Sequence, residues 1–171
     1  AKSWGENYYA ATLANTYLSR KAFLGAPAQC AETVATINVD VAKADKYLVL
    51  VRYEAAYRFE TQFRITVEQD GETRLDRLYG ARDNVKIWAF GQKLKKEVEW
   101  SWGAVENVVW EGHDAFAELK AGKATISLIA GKQEGLAAKR NVDIVLLTNN
   151  FADVNNRIAT ESYLPLDGLL T

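Results

Sequence analysis

Three tryptophans near the middle of the chain, Trp100, Trp102 and Trp110, have the residue type and spacing of a ligand-binding surface. Residues two apart in a strand project to the same face, so Trp100 and Trp102 would form a flat apolar platform that also carries N–H donors. Such a platform suits the C–H-rich face of a pyranose ring. The same pair also fits an ordinary core, because tryptophan is buried on average. Both interpretations stay open.

Acidic residues near these tryptophans could supply a second chemistry, the hydrolysis of a glycosidic bond, which needs two carboxyl groups about 5 to 10 Å apart. The candidates are Glu97, Glu99, Glu106, Glu111 and Asp114. However, 22 acidic residues in a chain of 171 produce close neighbours by chance. The single histidine, His113, excludes a multi-histidine metal centre, and no nucleophile motif is recognisable. We therefore expect a protein that is not an enzyme.

The charge balance argues against most polyanionic partners. Lys and Arg total 21 against 22 Asp and Glu, a net charge of -1, so no overall field attracts nucleic acid or an anionic membrane. No apolar run approaches the roughly 18 residues that span a bilayer. A local basic surface could still pair with an acidic polysaccharide, although arginines that alternate on strands more often face solvent. The arginines concerned are Arg52, Arg58, Arg64, Arg74, Arg77 and Arg82.

The elements that must position these side chains are short strands, since β-branched and aromatic segments alternate with turn residues after Pro27. Thr33–Val41 alternates like a half-buried antiparallel strand, and the apolar Tyr47–Tyr53 should be central. Asp70-Gly71 predicts a hairpin turn. Other strands are predicted at Gln62–Glu68, Glu72–Tyr79, Val85–Phe90, Lys95–Trp102, Val105–Trp110, Ala124–Ile129 and Val142–Thr148. This pattern, with no long helices between strands, predicts an all-β antiparallel sandwich or jelly roll.

Length and chain ends predict one domain with an extension. We assign residues 1–150 to the sandwich and 151–171 to a C-terminal extension that leads into a larger parent protein or packs on its own domain. Short helices are predicted over Tyr8–Leu18 and Asn150–Ile158. The sequence contains no methionine, which indicates a processed product. Its one cysteine, Cys30, excludes an internal disulfide and fits a small buried apolar residue.

Several segments resemble motifs of carbohydrate-binding modules with a galactose-binding-like jelly roll. Ala44–Tyr53 is similar to their strand "aGtYtlsvrYa", and Glu32–Val41 resembles the strand before it. Leu119–Ile126 looks like "LkaGkntI", and Arg140–Thr148 looks like the closing "fnlDyieLt". The motifs follow the family's order over roughly residues 30–148. The resemblance implies a non-catalytic module of a secreted or cell-surface bacterial protein, with a glycan or polysaccharide as its partner.

The resemblance also implies where the sugar would bind. In families six and thirty-five it lies among the loops at one end of the jelly roll, against aromatic rings, with an Asn just before the last strand. Asn141 matches that Asn, and Tyr57 follows the "RY" strand in the corresponding loop. Trp100, Trp102 and Trp110 all lie in the region where the family carries its tryptophan.

A structural calcium ion is a further implication of the resemblance. Asp143 matches the family's closing Asp, and Trp4–Tyr8 is similar to the opening "EAEny", in which Glu6 keeps one acid and Trp4 replaces the other. Calcium takes about 6 to 8 oxygen ligands, so the missing carboxylate weakens the site. A buried Asp143 that accepts loop N–H groups would explain the same residue.

The rival hypothesis is a structural or assembly domain that has kept this fold and lost the sugar site. Its partners would be other domains of the parent protein or further copies of the chain. Exposed tryptophans beside Asn141 would favour the sugar, whereas an apolar patch or an open edge strand elsewhere would favour assembly.

Overall fold

A computed structural model describes residues 5–8, 22–27, 29–54, 62–80, 100–101, 108–112, 114–132 and 140–152, with the backbone alone for 5–8, 22–23, 54, 100–101 and 108–110. The predicted strand Val85–Phe90 lies outside these residues, as does nearly all of both predicted terminal helices. Within the described part, no helix is long and apolar enough to cross a bilayer.

Eleven strands make up the described fold. In chain order they are β1 (Gly5–Tyr8), β2 (Ala22–Ala26), β3 (Thr33–Val41), β4 (Asp45–Glu54), β5 (Phe63–Gln69), β6 (Glu72–Tyr79), β7 (Trp100–Ser101), β8 (Val108–Glu111), β9 (Phe116–Leu119), β10 (Gly122–Ala130) and β11 (Arg140–Thr148).

The strands form two antiparallel sheets. The larger has the order β1-β2-β11-β4-β8-β7, with β9 also paired to β4, and the smaller has the order β3-β10-β5-β6. The chain passes repeatedly between the sheets, from β2 to β3, back to β4, across to β5 and finally from β10 to β11. The predicted all-β antiparallel sandwich is therefore confirmed, with the crossings of a jelly roll.

The strongest sequence patterns match the observed strands closely. β3 has the predicted bounds Thr33–Val41, and β5 and β6 form a hairpin in which Gln69 pairs with Glu72. Its two turn residues, Asp70 at φ 56° and Gly71 at φ 76°, have the positive φ values of a type I′ turn. Three short strands were not predicted: β1, β2 and β9.

The core lies between the sheets, and the central strand β4 is buried on both of its faces. Tyr47, Val49, Val51 and Tyr53 point into the core shared with the smaller sheet. The alternate residues Leu48, Leu50 and Arg52 are at most 4% exposed. Their neighbours on β11, Ile144 and Leu146, are also buried. The continuous apolar run of β4 follows from this two-sided burial.

The two ends of the sandwich differ in their connections. At one end, which we call the turn end, the links 42–44, 70–71 and 120–121 are short, and the longer connection 9–21 joins β1 to β2 on the same side. At the other, the loop end, the links are residues 27–32, 55–62, 80–99, 102–107 and 131–139. Most segments that join strands at the loop end are longer than those short links, and binding residues concentrate in the connections of a sandwich, so the loop end is the candidate functional surface.

Candidate functional site

The base of the loop end is built from aromatic side chains that close the core. Tyr53 is the second-last residue of β4, Phe63 begins β5 and Tyr79 ends β6. The Phe63 ring packs edge-on against Tyr53, with centroids 5.2 Å apart, and stacks on Tyr79 at 5.7 Å. These three side chains are at most 2% exposed. These three rings therefore form a fully packed floor at the loop end.

Asn141 lies at this floor, as the second residue of β11. It pairs with Gly25 of β2 on one side of the strand, and its neighbour Val142 pairs with Tyr53 on the other. Asn141 is only 5% exposed. The sequence motif places Asn141 just before the last strand, but β11 already begins at Arg140, so Asn141 lies within the strand and its role in binding stays a prediction.

The structure describes only part of the predicted aromatic partners. Tyr57 belongs to the β4–β5 connection and Trp102 to the β7–β8 connection, and both lie outside the described residues. Trp100 of β7 pairs directly with Trp110 of β8. The sequence pattern had predicted Trp100 and Trp102 as the neighbours, so the cross-strand pairing of Trp100 with Trp110 is new information from the fold.

Asp143, the predicted calcium ligand, is engaged by an arginine. Its side chain is fully buried, and its Oδ2 lies 3.2 Å from Nη1 of Arg52, which is itself 4% exposed. The register between β11 and β4 shifts between Val142 and Ile144, which places Asp143 at a β-bulge. The extra residue of the bulge is thus the one that carries the buried charge.

This geometry does not fit a calcium ligand. A guanidinium beside Oδ2 neutralises the carboxylate and occupies one of its approach directions, whereas calcium is bound by carboxylates that face it with open oxygens. Glu6 of β1 pairs with Leu24 of β2, which pairs with Val142, so the other predicted acid lies two strands from β11. Among the described residues, no three acidic, His or Cys side chains gather as a metal site.

We therefore expect calcium to have no effect on stability. Adding EDTA to the purified protein should leave the thermal unfolding midpoint unchanged, because the Arg52–Asp143 ion pair needs no metal to satisfy its charge. Differential scanning calorimetry with EDTA, and separately with excess calcium, checks this. A midpoint that rises with calcium concentration would contradict it, since a ligand that binds only the folded state stabilises it.

A second buried carboxylate holds Gly80, the residue that follows β6. Glu111 is 2% exposed, and its Oε2 accepts hydrogen bonds from the Tyr53 hydroxyl at 2.7 Å and from the Gly80 N–H at 3.0 Å. Arg77 lies 3.7 Å from its Oε1 and also pairs with Asp114. Glu111 and Asp114 were both candidate catalytic acids. Both are held by structural partners, which favours a structural role over one in catalysis.

Tyr79 joins the same region to β4. Its hydroxyl donates to the Val49 carbonyl at 3.0 Å, and the Arg77 guanidinium lies over its ring at 5.0 Å. Burial raises the pKa of Tyr79 well above its ordinary value, although the nearby Arg77 opposes this shift. Tyr79 therefore stays a neutral hydrogen-bond donor.

The arginines considered for binding acidic sugars are paired within the chain wherever the structure describes them. Arg64 pairs with Asp76, Arg74 with Glu72, and Arg77 with Asp114. Arg52 pairs with Asp143. Arg58 and Arg82 lie outside the described residues. A guanidinium that is already paired has fewer free N–H donors for a uronate carboxylate. An acidic polysaccharide is therefore disfavoured at these four positions.

Sequence reasoning missed the role of Arg140, the first residue of β11. Arg140 is 1% exposed and its guanidinium contacts Pro27, Cys30 and Gly131 in the loops beside Asn141. The signal was present, because Arg140 stands where the resembling motif has an aromatic residue and opens an otherwise apolar strand. A charged side chain that is buried at this position needs hydrogen-bond acceptors or an opposite charge around it.

Comparison with known proteins adds one structural similarity. No protein-family model matches the chain, and no curated protein matches its sequence. Among solved structures, the chain is similar to a family 35 carbohydrate binding module from an environmental isolate, with 15% identity and a TM-score of 0.47. The similarity covers 88% of this chain and 89% of that one.

Proposed function

We propose that this chain is a non-catalytic carbohydrate-binding domain that holds a glycan at its loop end. The observation that carries the proposal is that Asn141 lies at the end of the sandwich where β4, β6 and β10 end and the longer connections begin. Among the ligand residues expected from the motifs, Asn141 lies at that end and Trp100 pairs with Trp110, whereas Tyr57 and Trp102 lie outside the described residues. Pyranose rings are bound by such combinations of amide groups and aromatic faces.

The proposal of a module without chemistry of its own is supported by the acidic residues. A glycosidase needs one carboxylate free to act as base or nucleophile and one acid free to donate its proton. Glu111 already accepts hydrogen bonds from Tyr53 and Gly80, and Asp114 already forms an ion pair with Arg77. Glu97, Glu99 and Glu106 lie outside the described residues. We further propose a secreted or cell-surface location, as the motif resemblance implies.

A glycan array on the purified chain tests the proposal, with tryptophan fluorescence as an independent readout. Binding of a defined glycan class supports it, and silence across neutral and acidic glycans overturns it.

Asn141→Ala should weaken binding of that glycan by about 1 to 3 kcal/mol, because a buried amide that hydrogen-bonds the ligand is removed. The matched control is Asn149→Ala at the turn end, where the Asn149 amide donates to Asp45 at 2.8 Å. Isothermal titration calorimetry on both variants measures the difference. Equal affinity for Asn141→Ala and the unaltered protein would place the sugar away from Asn141.

One observation favours the second candidate, an assembly domain. Strand β3 is an edge of the smaller sheet in the described fold, and Ile37 on it is 58% exposed although its face points toward the core. Beside it, a half-open apolar cavity of about 340 Å³ lies between β3, β10 and β11. Sedimentation velocity over a range of concentrations tests this candidate. A monomer at every concentration excludes self-assembly, and a silent glycan array with a concentration-dependent dimer favours it.

A further inference from the structure

Arg140 is buried at the loop end. The two terminal nitrogens of its guanidinium donate hydrogen bonds to two different connections between strands. Its Nη1 donates to the Gly131 carbonyl, where β10 ends. Its Nη2 donates to the Pro27 carbonyl and to the Cys30 sulfur, the latter at 2.8 Å. Pro27 and Cys30 belong to the connection from β2 to β3, more than 100 residues earlier in the chain.

Small side chains lie at the same end of the sandwich as the Arg140 guanidinium. Ala26, Cys30 and Ala130 form a small buried cluster at the loop end, so the residues around the guanidinium are short. The Cys30 N–H also donates to the Pro27 carbonyl at 3.3 Å, which closes a turn onto the same acceptor that Arg140 uses. One carbonyl oxygen therefore ties the turn and the guanidinium together.

A buried guanidinium is a costly choice for this position. Burial lowers the pKa of Arg140, and contact with Cys30 partly opposes the shift. The side chain still remains a cation, because the ordinary pKa of arginine lies far above neutral. An apolar residue would fill the space without the loss of hydration. What arginine adds is a planar fork of donors that holds several acceptors in fixed relative positions.

These acceptors flank the residue proposed to bind the glycan. Asn141 follows Arg140 directly and pairs with Gly25, next to the Ala26 that pairs with Arg140. The strand end that carries Asn141 and the turn from Pro27 to Cys30 are thus held together by one side chain. We propose that Arg140 is a positioning residue of the glycan site, which fixes these two loop bases around Asn141. This inference rests on the proposed function.

Arg140→Lys is the variant that tests the role, since lysine keeps the charge but cannot make the same forked contacts. We expect its glycan affinity to fall at least tenfold while the unfolding midpoint stays above the assay temperature. Arg74→Lys is the matched control, because Arg74 forms its ion pair with Glu72 on β6 beside the turn end. The control should bind the glycan like the unaltered protein.

Alkylation of Cys30 by iodoacetamide supplies a second readout. It reports whether Arg140 holds the turn from Pro27 to Cys30, a contact that we call the clamp. Cys30 is 3% exposed and is the only cysteine, so its alkylation requires the Pro27–Cys30 turn to open. Arg140→Lys should speed this alkylation at least tenfold, and saturating glycan should slow it in the unaltered protein. Arg74→Lys should change neither rate. Should Arg140→Lys fail to fold, Cys30→Ser replaces it in the binding assay, with a smaller expected loss, because the sulfur acceptor is changed and the arginine kept.

The outcomes separate the inference from the proposed function. If the unaltered protein binds a glycan and Arg140→Lys binds it equally well, the inference is overturned and the proposed function stands. Weaker binding with an unchanged alkylation rate also overturns it, because the loss would then not come from an opened clamp. If the unaltered protein binds no glycan, the proposed function fails and this inference fails with it.

Discussion

Arg52→Met should lower the free energy of unfolding by about 3 to 5 kcal/mol, the range measured when one partner of a buried ion pair is removed. The Asp143 carboxylate, whose side chain is fully buried, would lose the guanidinium that pairs with it. Its partner Arg52 is also only 4% exposed, so the pair lies within the protein. Urea denaturation followed by tryptophan fluorescence measures the loss.

An exposed ion pair provides the matched control for this prediction. Arg64 and Asp76 also pair across neighbouring strands, but their side chains are 46% and 48% exposed. Arg64→Met should therefore cost no more than about 1 kcal/mol. The double variant Arg52→Met with Asp143→Leu should recover much of the loss, since an apolar pair of similar size can replace a buried ion pair. A loss below about 1 kcal/mol for Arg52→Met alone would show that water or another group replaces the guanidinium.

The strands predicted correctly are those whose local pattern reflects a single kind of environment. The alternation of Thr33–Val41 follows from an edge strand with one face toward the core, and the apolar run of β4 follows from burial on both faces. The type I′ turn at Asp70-Gly71 is dictated by residues that accept positive φ. In each case the cause lies within a few residues of the effect.

The missed strands have weak patterns of their own. β2 reads Ala-Phe-Leu-Gly-Ala, and β1 has four residues that begin with glycine, so neither has the β-branched composition of a strand. β9 is also four residues long, and it forms because β4 is long enough to pair with β8 and then with β9 along the same edge. These strands form because the backbone N–H and C=O groups of a neighbouring strand pair with theirs.

The candidate site shows the same division between local and distant causes. The position of Asn141 followed from a motif along the chain, but the partners of the buried charges did not. Arg52 meets Asp143, and Arg140 meets Cys30, across separations of 91 and 110 residues. Such pairs depend on sheet register, including a one-residue bulge, which residue spacing alone does not encode. Asp143 could thus be singled out from sequence while its guanidinium partner could not.

Gly112→Ala should destabilise the fold by about 3 kcal/mol or more, through two separate costs. Gly112 has a φ of 117°, a conformation that residues with a Cβ rarely adopt. A Cβ at this position would lie 2.3 Å from the Val49 carbonyl oxygen and 3.2 Å from the Tyr79 hydroxyl oxygen. The first contact is with backbone in the centre of β4, which cannot move without disturbing the core.

Gly122→Ala separates the two costs. Gly122 has a similar φ of 129°, but a Cβ there would meet nothing within 4 Å. The control should therefore lose only the conformational term, about 1 to 3 kcal/mol. Chemical denaturation of both variants gives the difference, which measures the close approach to Val49. Equal losses would mean that the Val49 carbonyl shifts freely away from the new Cβ.

A larger loss at Gly112 would also connect this glycine to the loop end. The Val49 carbonyl accepts the Tyr79 hydroxyl at 3.0 Å, and Tyr79 is followed directly by Gly80, whose N–H is held by Glu111. Displacing Val49 should therefore loosen the Tyr79 contact and the hydrogen bond from Gly80 to Glu111 together. Glycan affinity should then fall for Gly112→Ala and stay unchanged for Gly122→Ala at the turn end, when both are measured well below their unfolding midpoints. The same fall in both variants would instead mark a general loss of stability, because only Gly112 touches the residues that carry the loop.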